Sequence, residues 1–326
     1  MRSKRVAILS ALLLLHKLLF SQVYFSQLPS SPLTINPVNT GRYDGDIRAG
    51  GDYRNEKDQT DFSTKATIFF DTRILASTLP ENDRLAVGVS AVGERYPYFG
   101  VTNNYAQLSL AYHKSLDAEG SQQLSVGFQG GWGNQRLQMQ GLVFESTIIN
   151  SGFSGVYPGQ SGVNINYADF SLGAGYKGRI TGNDVVTAGA VMYHVNHPYK
   201  IVNNSVFSLP QQLGGQLGWE HAIDDRRRLR YELLVVGTTS THTLNDLIAG
   251  SIYETQIDET SYRAGAGLLF RRNYLTGSVV APCITMTYNE MSLELSYEVS
   301  VSNKETDQRG AFEVGVVYAG RRHAKQ

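Results

Sequence analysis

The chain has 326 residues with 29 basic and 29 acidic side chains, and its single cysteine, Cys283, excludes an internal disulfide. No Cys/His spacing resembles a metal site, so neither staples nor a structural metal nor a cofactor is expected, and stability must come from ordinary burial or from lipid. Glycine (33), tyrosine (19) and phenylalanine (13) are abundant, as in strands and turns, while the nine prolines gather between the candidate strands.

Met1–Arg5 is basic and Val6–Leu15 apolar, which reads as a signal peptide over residues 1–21, cut after Ser21. Its removal leaves 25 basic against 29 acidic residues, which argues against nucleic acid as a partner. Residues 22–44, "QVYFSQLPSSPLTINPVNTGRYD", keep neither a helical nor a strand period. Pro29, Pro32 and Pro37 interrupt the backbone, yet Phe25, Leu33 and Ile35 are too apolar for a solvated linker. No later apolar run approaches the roughly 18–20 residues of a transmembrane helix, so a membrane must be crossed by strands.

From residue 45 to 320 the sequence alternates apolar with small or polar residues in segments of about ten, the length of a tilted membrane strand. In "NYADFSLGAGYKG", Ala168, Phe170, Leu172, Ala174 and Tyr176 share one face, and Asp169, Ser171, Gly173, Gly175 and Lys177 the other. The same pattern opposes Leu85, Val87, Val89 and Ala91 to Ala86, Gly88 and Ser90, and Leu293, Leu295, Tyr297 and Val299 to Glu294, Ser296 and Glu298. A soluble sandwich also alternates. Its strands average about five or six residues, however, and its core would not tolerate a face of glycine and charge. Aromatics at segment ends (Tyr112, Trp132, Tyr176, Tyr193, Trp219, Tyr231) match membrane-interface girdles.

Fifteen segments alternate, centred near residues 49, 68, 89, 108, 128, 140, 172, 189, 218, 234, 249, 266, 281, 296 and 315. Closed bacterial barrels have even strand numbers, and Leu137–Phe144 is the shortest candidate, so it joins one external excursion of residues 133–166 and fourteen strands remain. The expected fold is all-β, a transmembrane antiparallel barrel over 45–320 with a basic tail, residues 321–326. Short turns such as 181–184 and 224–228 fall in the periplasm, and 195–212 outside. Segment 22–44 then packs in or beneath the lumen. Its apolar side chains find a pocket at the periplasmic mouth, and its freed backbone groups find lumen partners such as Arg263 and Arg271.

His194 and His197 in "YHVNHP" are spaced like a ligand pair, but no third ligand is near and Pro198 stops a strand there, which favours a structural role. Serines and acids lie scattered at pleat positions with no nucleophile motif, so catalysis is not expected. Glu294, Glu298, Arg263 and Arg271 are expected to pair across the lumen, "DDRRRLR" (224–230) to form a solvated turn, and Cys283 to be a small buried or lipid-facing filler.

Phe25-Ser26-Gln27, Asn36-Pro37, Gly41, Arg48 and Tyr53-Arg54, followed by "ADFSLGAGYKG", "AVMYHVNHP" with Tyr193, His194 and Pro198, and the last hairpin "LELSYEVSVSN…RGAFEVGVVY", resemble in order the PorP/SprF family of type IX secretion membrane proteins. The resemblance implies a non-enzymatic outer-membrane barrel of Bacteroidetes. It would support secretion or surface attachment of sorting-domain cargo, such as gliding adhesins, with periplasmic ring lipoproteins as partners. The alternative is an outer-membrane diffusion channel or hydrophobic-solute transporter with an N-terminal hatch.

Overall fold

The computed structural model describes residues 25–57, 62–97, 100–138, 162–202, 205–240, 243–257, 261–273, 277–302 and 310–320. The proposed signal peptide, the basic tail and residues 139–161 lie outside them.

Fourteen strands close into an antiparallel barrel. In chain order they begin with β1 (Ile47–Lys57), β2 (Phe62–Ile74), β3 (Arg84–Tyr96), β4 (Val101–Ser115), β5 (Gln122–Leu137), β6 (Val163–Arg179) and β7 (Asp184–Tyr193). A two-stranded hairpin, β8 (Tyr199–Val202) and β9 (Ser205–Ser208), intervenes outside the barrel sheet. The barrel resumes with β10 (Gln212–Ala222), β11 (Arg227–Thr238), β12 (Thr243–Gln256), β13 (Tyr262–Asn273), β14 (Gly277–Tyr288), β15 (Met291–Ser300) and β16 (Ala311–Gly320). Pairing of β1 with β16, from Ile47↔Gly320 to Glu56↔Ala311, closes the ring. β1 therefore begins and β16 ends at one rim, the terminal mouth; the opposite rim is the far mouth. No described helix is long and apolar enough to cross a membrane.

Each of the fourteen expected centres falls on a barrel strand, and the alternation is inside out relative to a soluble protein. Leu108, Leu110, Phe170, Leu172 and Leu268 are exposed, whereas Ser109, Gln129, Asp169, Ser171 and Glu298 are buried. Only a polar lumen and an apolar surround satisfy both sets. Trp132 is half exposed on the wall, and two residues farther along, Asn134 turns to Asn164 and Asn166 at 2.5 and 2.7 Å. Apolar surface thus gives way to amide at the depth of this tryptophan. At the other rim, Trp219 stacks on Tyr231 at 5.1 Å and Tyr262 on Tyr288 at 4.3 Å.

Several boundaries differ from expectation. The excursion is shorter than 133–166, because β5 runs to Leu137 and β6 starts at Val163, pairing through to Leu137↔Val163. Segment 195–212 is no simple loop, since it carries β8 and β9. Of "DDRRRLR", only Asp224–Arg226 is turn: Asp224 accepts from the amides of Arg226 (3.0 Å) and Arg227 (2.7 Å), while Arg228 and Arg230 belong to β11 and pair with Glu254 and Glu232. Cys283 is buried against Ile252, Leu269 and Ala281. Pro282 faces outward beside it, and the β14–β15 pairing skips Ala281 and Pro282, as a residue without a backbone donor requires.

Above the end of β7 the wall is completed without a strand. His194 and His197 take left-handed backbone angles (φ 56° and 44°), turning the chain so that the Val195 amide donates to Phe170 O at 2.9 Å. The Asn196 side chain continues the ladder: its Oδ1 accepts from Phe170 N (3.1 Å) and its Nδ2 donates to Ala168 O (2.9 Å). One side-chain amide stands in for a peptide unit of the absent strand. His194 is buried with Nδ1 at 2.9 Å from both Asp169 carboxylate oxygens. His194 of "YHVNHP" thus has Asp169 as its partner, an acid that local sequence did not show.

Candidate functional site

The lumen of this barrel is filled by the chain's own N-terminal segment. Residues 25–44 run through the lumen as short turns, Leu28–Ser30 and Pro37–Asn39 in 3-10 form and Pro32–Ile35 as one α-helical turn. Each turn starts with a proline at its first or second position, where a missing amide donor costs nothing. Phe25, Ser26, Gln27, Leu33, Asn36 and Val38 are all buried.

The segment runs from the far half of the lumen toward the terminal mouth. Phe25 clusters with Val92, with Tyr105 packed against the pair, in the far half of β3 and β4. Its pocket is therefore not at the terminal mouth, as expected from sequence, but deep in the barrel. Beside it the Glu313 carboxylate accepts from the backbone amides of Ser26 (3.1 Å) and Gln27 (2.7 Å). Gln27 Nε2 donates to Ser296 Oγ at 2.9 Å, and the Ser26 hydroxyl donates to Glu298. Arg54, almost fully buried, forks onto Glu298, with Nη2 to Oε2 at 2.6 Å, and reaches Glu313 at 3.4 Å and Glu56 at 3.0 Å. Ser30 lies between Asp52 and the Gln27 carbonyl.

Further along, carbonyls of the segment find wall partners. Gln129 Nε2 donates to Leu33 O (3.0 Å), Tyr193 OH to Ile35 O, and His113 Nε2 lies 2.8 Å from Thr40 O. Asn36 caps the next turn by accepting from Val38 N (3.1 Å) and anchors it by donating to Ala190 O (3.1 Å). At the terminal mouth Arg48 grips Asp71 through Nε (3.0 Å) and Nη2 (2.8 Å), and Nη2 also donates to Asn39 O at 2.8 Å. Gly41 N donates to the same carboxylate at 2.7 Å with φ +76°, and a Cβ there would strike Ala86, so both conformation and space demand glycine. Burial, and then the Asp71 charge, push the Tyr43 phenol up to about 12, which keeps it a donor toward the carbonyls of Asp46 (2.9 Å) and Asp71 (3.0 Å).

Inward glycines of the wall make room. A Cβ on Gly127 would lie 2.7 Å from Pro37 C and Val38 N, and one on Gly88 3.0 Å from Leu33 Cδ1. The glycine-rich inner faces that mark the sequence as a barrel are seats for the segment. Gly127→Val is accordingly expected to lift the Pro37–Asn39 turn off β5, seen as faster amide exchange across residues 36–43 in a barrel that still shifts gel mobility on boiling. Unchanged exchange there would refute the seat.

The structure brings Phe25, Ser26, Gln27 and Arg54 together at one end of the plug, Asn36, Pro37 and Tyr193 at its middle, and Gly41 and Arg48 at the other end. Tyr193 is wholly buried inside the lumen rather than at a membrane interface. Tyr53 points outward and is 44% exposed, apart from the plug, and His194 and Pro198 belong to the wall repair near the far mouth. Arg271 lies 3.8 Å from Asp246 and 4.0 Å from Glu298 and does not serve the freed backbone groups, which Glu313, Gln129, Tyr193, His113 and Asp71 satisfy instead. Of these, sequence alone offers only their inward parity. No group of three or more His, Cys, Asp or Glu able to hold a metal occurs among the described residues.

A profile described as type IX secretion system membrane protein PorP/SprF matches residues 19–318. The chain belongs to the PorP/SprF family. No curated protein matches it. Among solved structures, the barrel resembles the P. putida toluene transporter TodX, with a TM-score of 0.57 at 11% identity over 89% of this chain and 93% of that one. It also resembles the monoaromatic hydrocarbon channel CymD, with a TM-score of 0.53 at 8% identity over 90% and 94%. At these identities the likeness is one of fold. The match over nearly the whole chain bears out the resemblance to the family, and makes this PorP/SprF protein a type IX secretion membrane barrel.

Proposed function

We propose that this PorP/SprF barrel is a closed, non-enzymatic outer-membrane component of the type IX machinery that acts by binding other proteins. It supports secretion or surface attachment of sorting-domain cargo, gliding adhesins among them. The terminal mouth, with its short turns, faces the periplasm and meets the ring lipoproteins; the far mouth faces the cell surface. The signal peptide is removed at about residue 21, which frees the segment that enters the lumen.

The observation that carries this reading is the plug: the chain's own residues 25–44 occupy the lumen and are hydrogen-bonded to wall side chains from Glu313 to Asp71. A lumen so filled suits a scaffold better than a pore. Deleting the gene should abolish export or attachment of at least one sorting-domain protein; full export and attachment would sink the proposal. Replacing Asn36 and Pro37 with Ala-Ala removes one cap and one anchor. It should impair cargo export or barrel assembly, and normal levels of both would show that the segment is only a tether.

The hatch-bearing channel remains a second reading. It draws support from a cavity of about 250 Å3 beside the plug, lined by Leu28, Pro32, Ile35, Arg42, Glu232 and Leu233, together with the fold shared with TodX and CymD. Planar-bilayer conductance of the purified barrel separates the two: silence is expected of a scaffold, steady current of a channel.

A further inference from the structure

The two ends of the plug are held differently. The Asn36–Tyr43 end is bonded to barrel strands alone, through Ala190, His113 and Asp71. The Phe25 end is also in contact, through aromatic rings, with an element outside the barrel sheet. Phe25 clusters with Val92, Tyr105 of the neighbouring strand packs against that cluster as the cross-strand partner of Val92, and Tyr105 meets Tyr167 edge-on, ring centroids 6.4 Å apart. Tyr167 in turn packs on Phe207 of β9 at 5.3 Å, within a buried cluster that includes Ile165 and Leu209. Tyr105 belongs to both clusters. The column thus joins the lumenal plug to the β8–β9 hairpin through rings on the rigid strands β4 and β6.

The hairpin is built to move more easily than the wall. It has four residues per strand and pairs only with itself, over Tyr199↔Ser208 to Val202↔Ser205. Two-stranded ribbons of this size have little stability of their own. Its docking rests on Phe207 and Leu209, while the opposite face leaves Tyr199 and Ile201 exposed.

We propose that the plug is a strap latched from the far mouth: the β8–β9 hairpin, through Phe207, Tyr167 and Tyr105, holds the Phe25–Ser30 end in place, and undocking the hairpin frees that end first. When Phe207 leaves, Tyr167 loses its outer support and Tyr105 gains room to swing. Phe25 then keeps Val92 but loses the aromatic support behind it, and the Ser26–Ser30 stretch is held by its polar bonds to Glu313, Glu298, Ser296 and Asp52 without that apolar backing. The Asn36–Tyr43 end stays seated, because none of its contacts pass through the column. This regulation rests on the lumenal segment being a plug, but not on which cargo the barrel serves.

The test is hydrogen–deuterium exchange on the purified full-length barrel, comparing native protein with Phe207→Ala. Exchange in a peptide spanning residues 25–31 should quicken by about ten-fold or more, with a peptide spanning 36–43 unchanged. Equal protection of both peptides in the two proteins, or equal loosening of both, overturns the latch. If Phe207→Ala does not assemble, Phe207→Leu, which keeps most of the buried apolar volume, is read with the same two peptides and the same criteria. Because exchange is measured without cargo, failure here is distinct from failure of the secretion proposal, which is judged by export.

Discussion

Arg54→Ala is expected to cost about 3–5 kcal/mol, the scale for removing one partner from a buried ion pair. Glu298 and Glu313 would be left side by side in the lumen with their shared guanidinium gone, although Ser26 bonds to both carboxylates and Gln27 to Glu313. Arg54→Lys should recover only part of this, since an ammonium cannot fork onto Glu298 while reaching Glu313. Arg54→Met combined with Glu298→Gln should recover more than Arg54→Met alone, because it removes an orphaned charge along with its partner. The measurement is the urea midpoint of the folded band by gel mobility. A single variant within about 1 kcal/mol of native would show that the pair lies effectively in water.

Deleting residues 25–44 should produce the second large effect, a change from electrical silence to discrete open steps in planar bilayers. The wall is a closed ladder without the segment, so the barrel should still insert and still change mobility on boiling. Its inward glycines, Gly88 and Gly127 among them, would then line open space. A deleted barrel that stays silent would mean that the remaining lumen side chains close it unaided. A native barrel that conducts as well as the deletion would remove the plug's role altogether.

Much of the fold was legible because membrane strands obey a strict period of two, and one face must suit lipid. Asp169 and Ser171 against Phe170 and Leu172 show it in four consecutive residues. Strand ends were less legible, since β5 and β6 continue past Trp132 into amide-bearing residues where lipid no longer enforces the period. Tyr193 was misplaced because an aromatic at a strand end looks like girdle, although its parity with Val191 turns it inward. The motif residues Ser26, Gln27, Gly41, Arg48 and Arg54 proved to be plug and clamp. Their partners Glu313, Asp71, Gln129 and His113 depend on register and shear, which period alone does not carry. The direction of the plug was equally hidden: it follows from the depth of Arg54, Glu298 and Glu313 in their strands, not from anything within residues 22–44.

That direction bears on assembly. Ser26 is joined to Glu313 across 287 positions of chain, and to Glu298 across 272. The carboxylates that fasten the leading end of the chain thus arrive on its last two strands. Until β15 and β16 reach β1, Ser26 and Gln27 lack both carboxylates, and of the polar partners of this end only those on β1 are in place. Closing the ring and fastening the leading end of the plug therefore share one late step, so a barrel stalled short of β16 would be at once unsealed in its wall and without the Glu313 hold on Ser26 and Gln27.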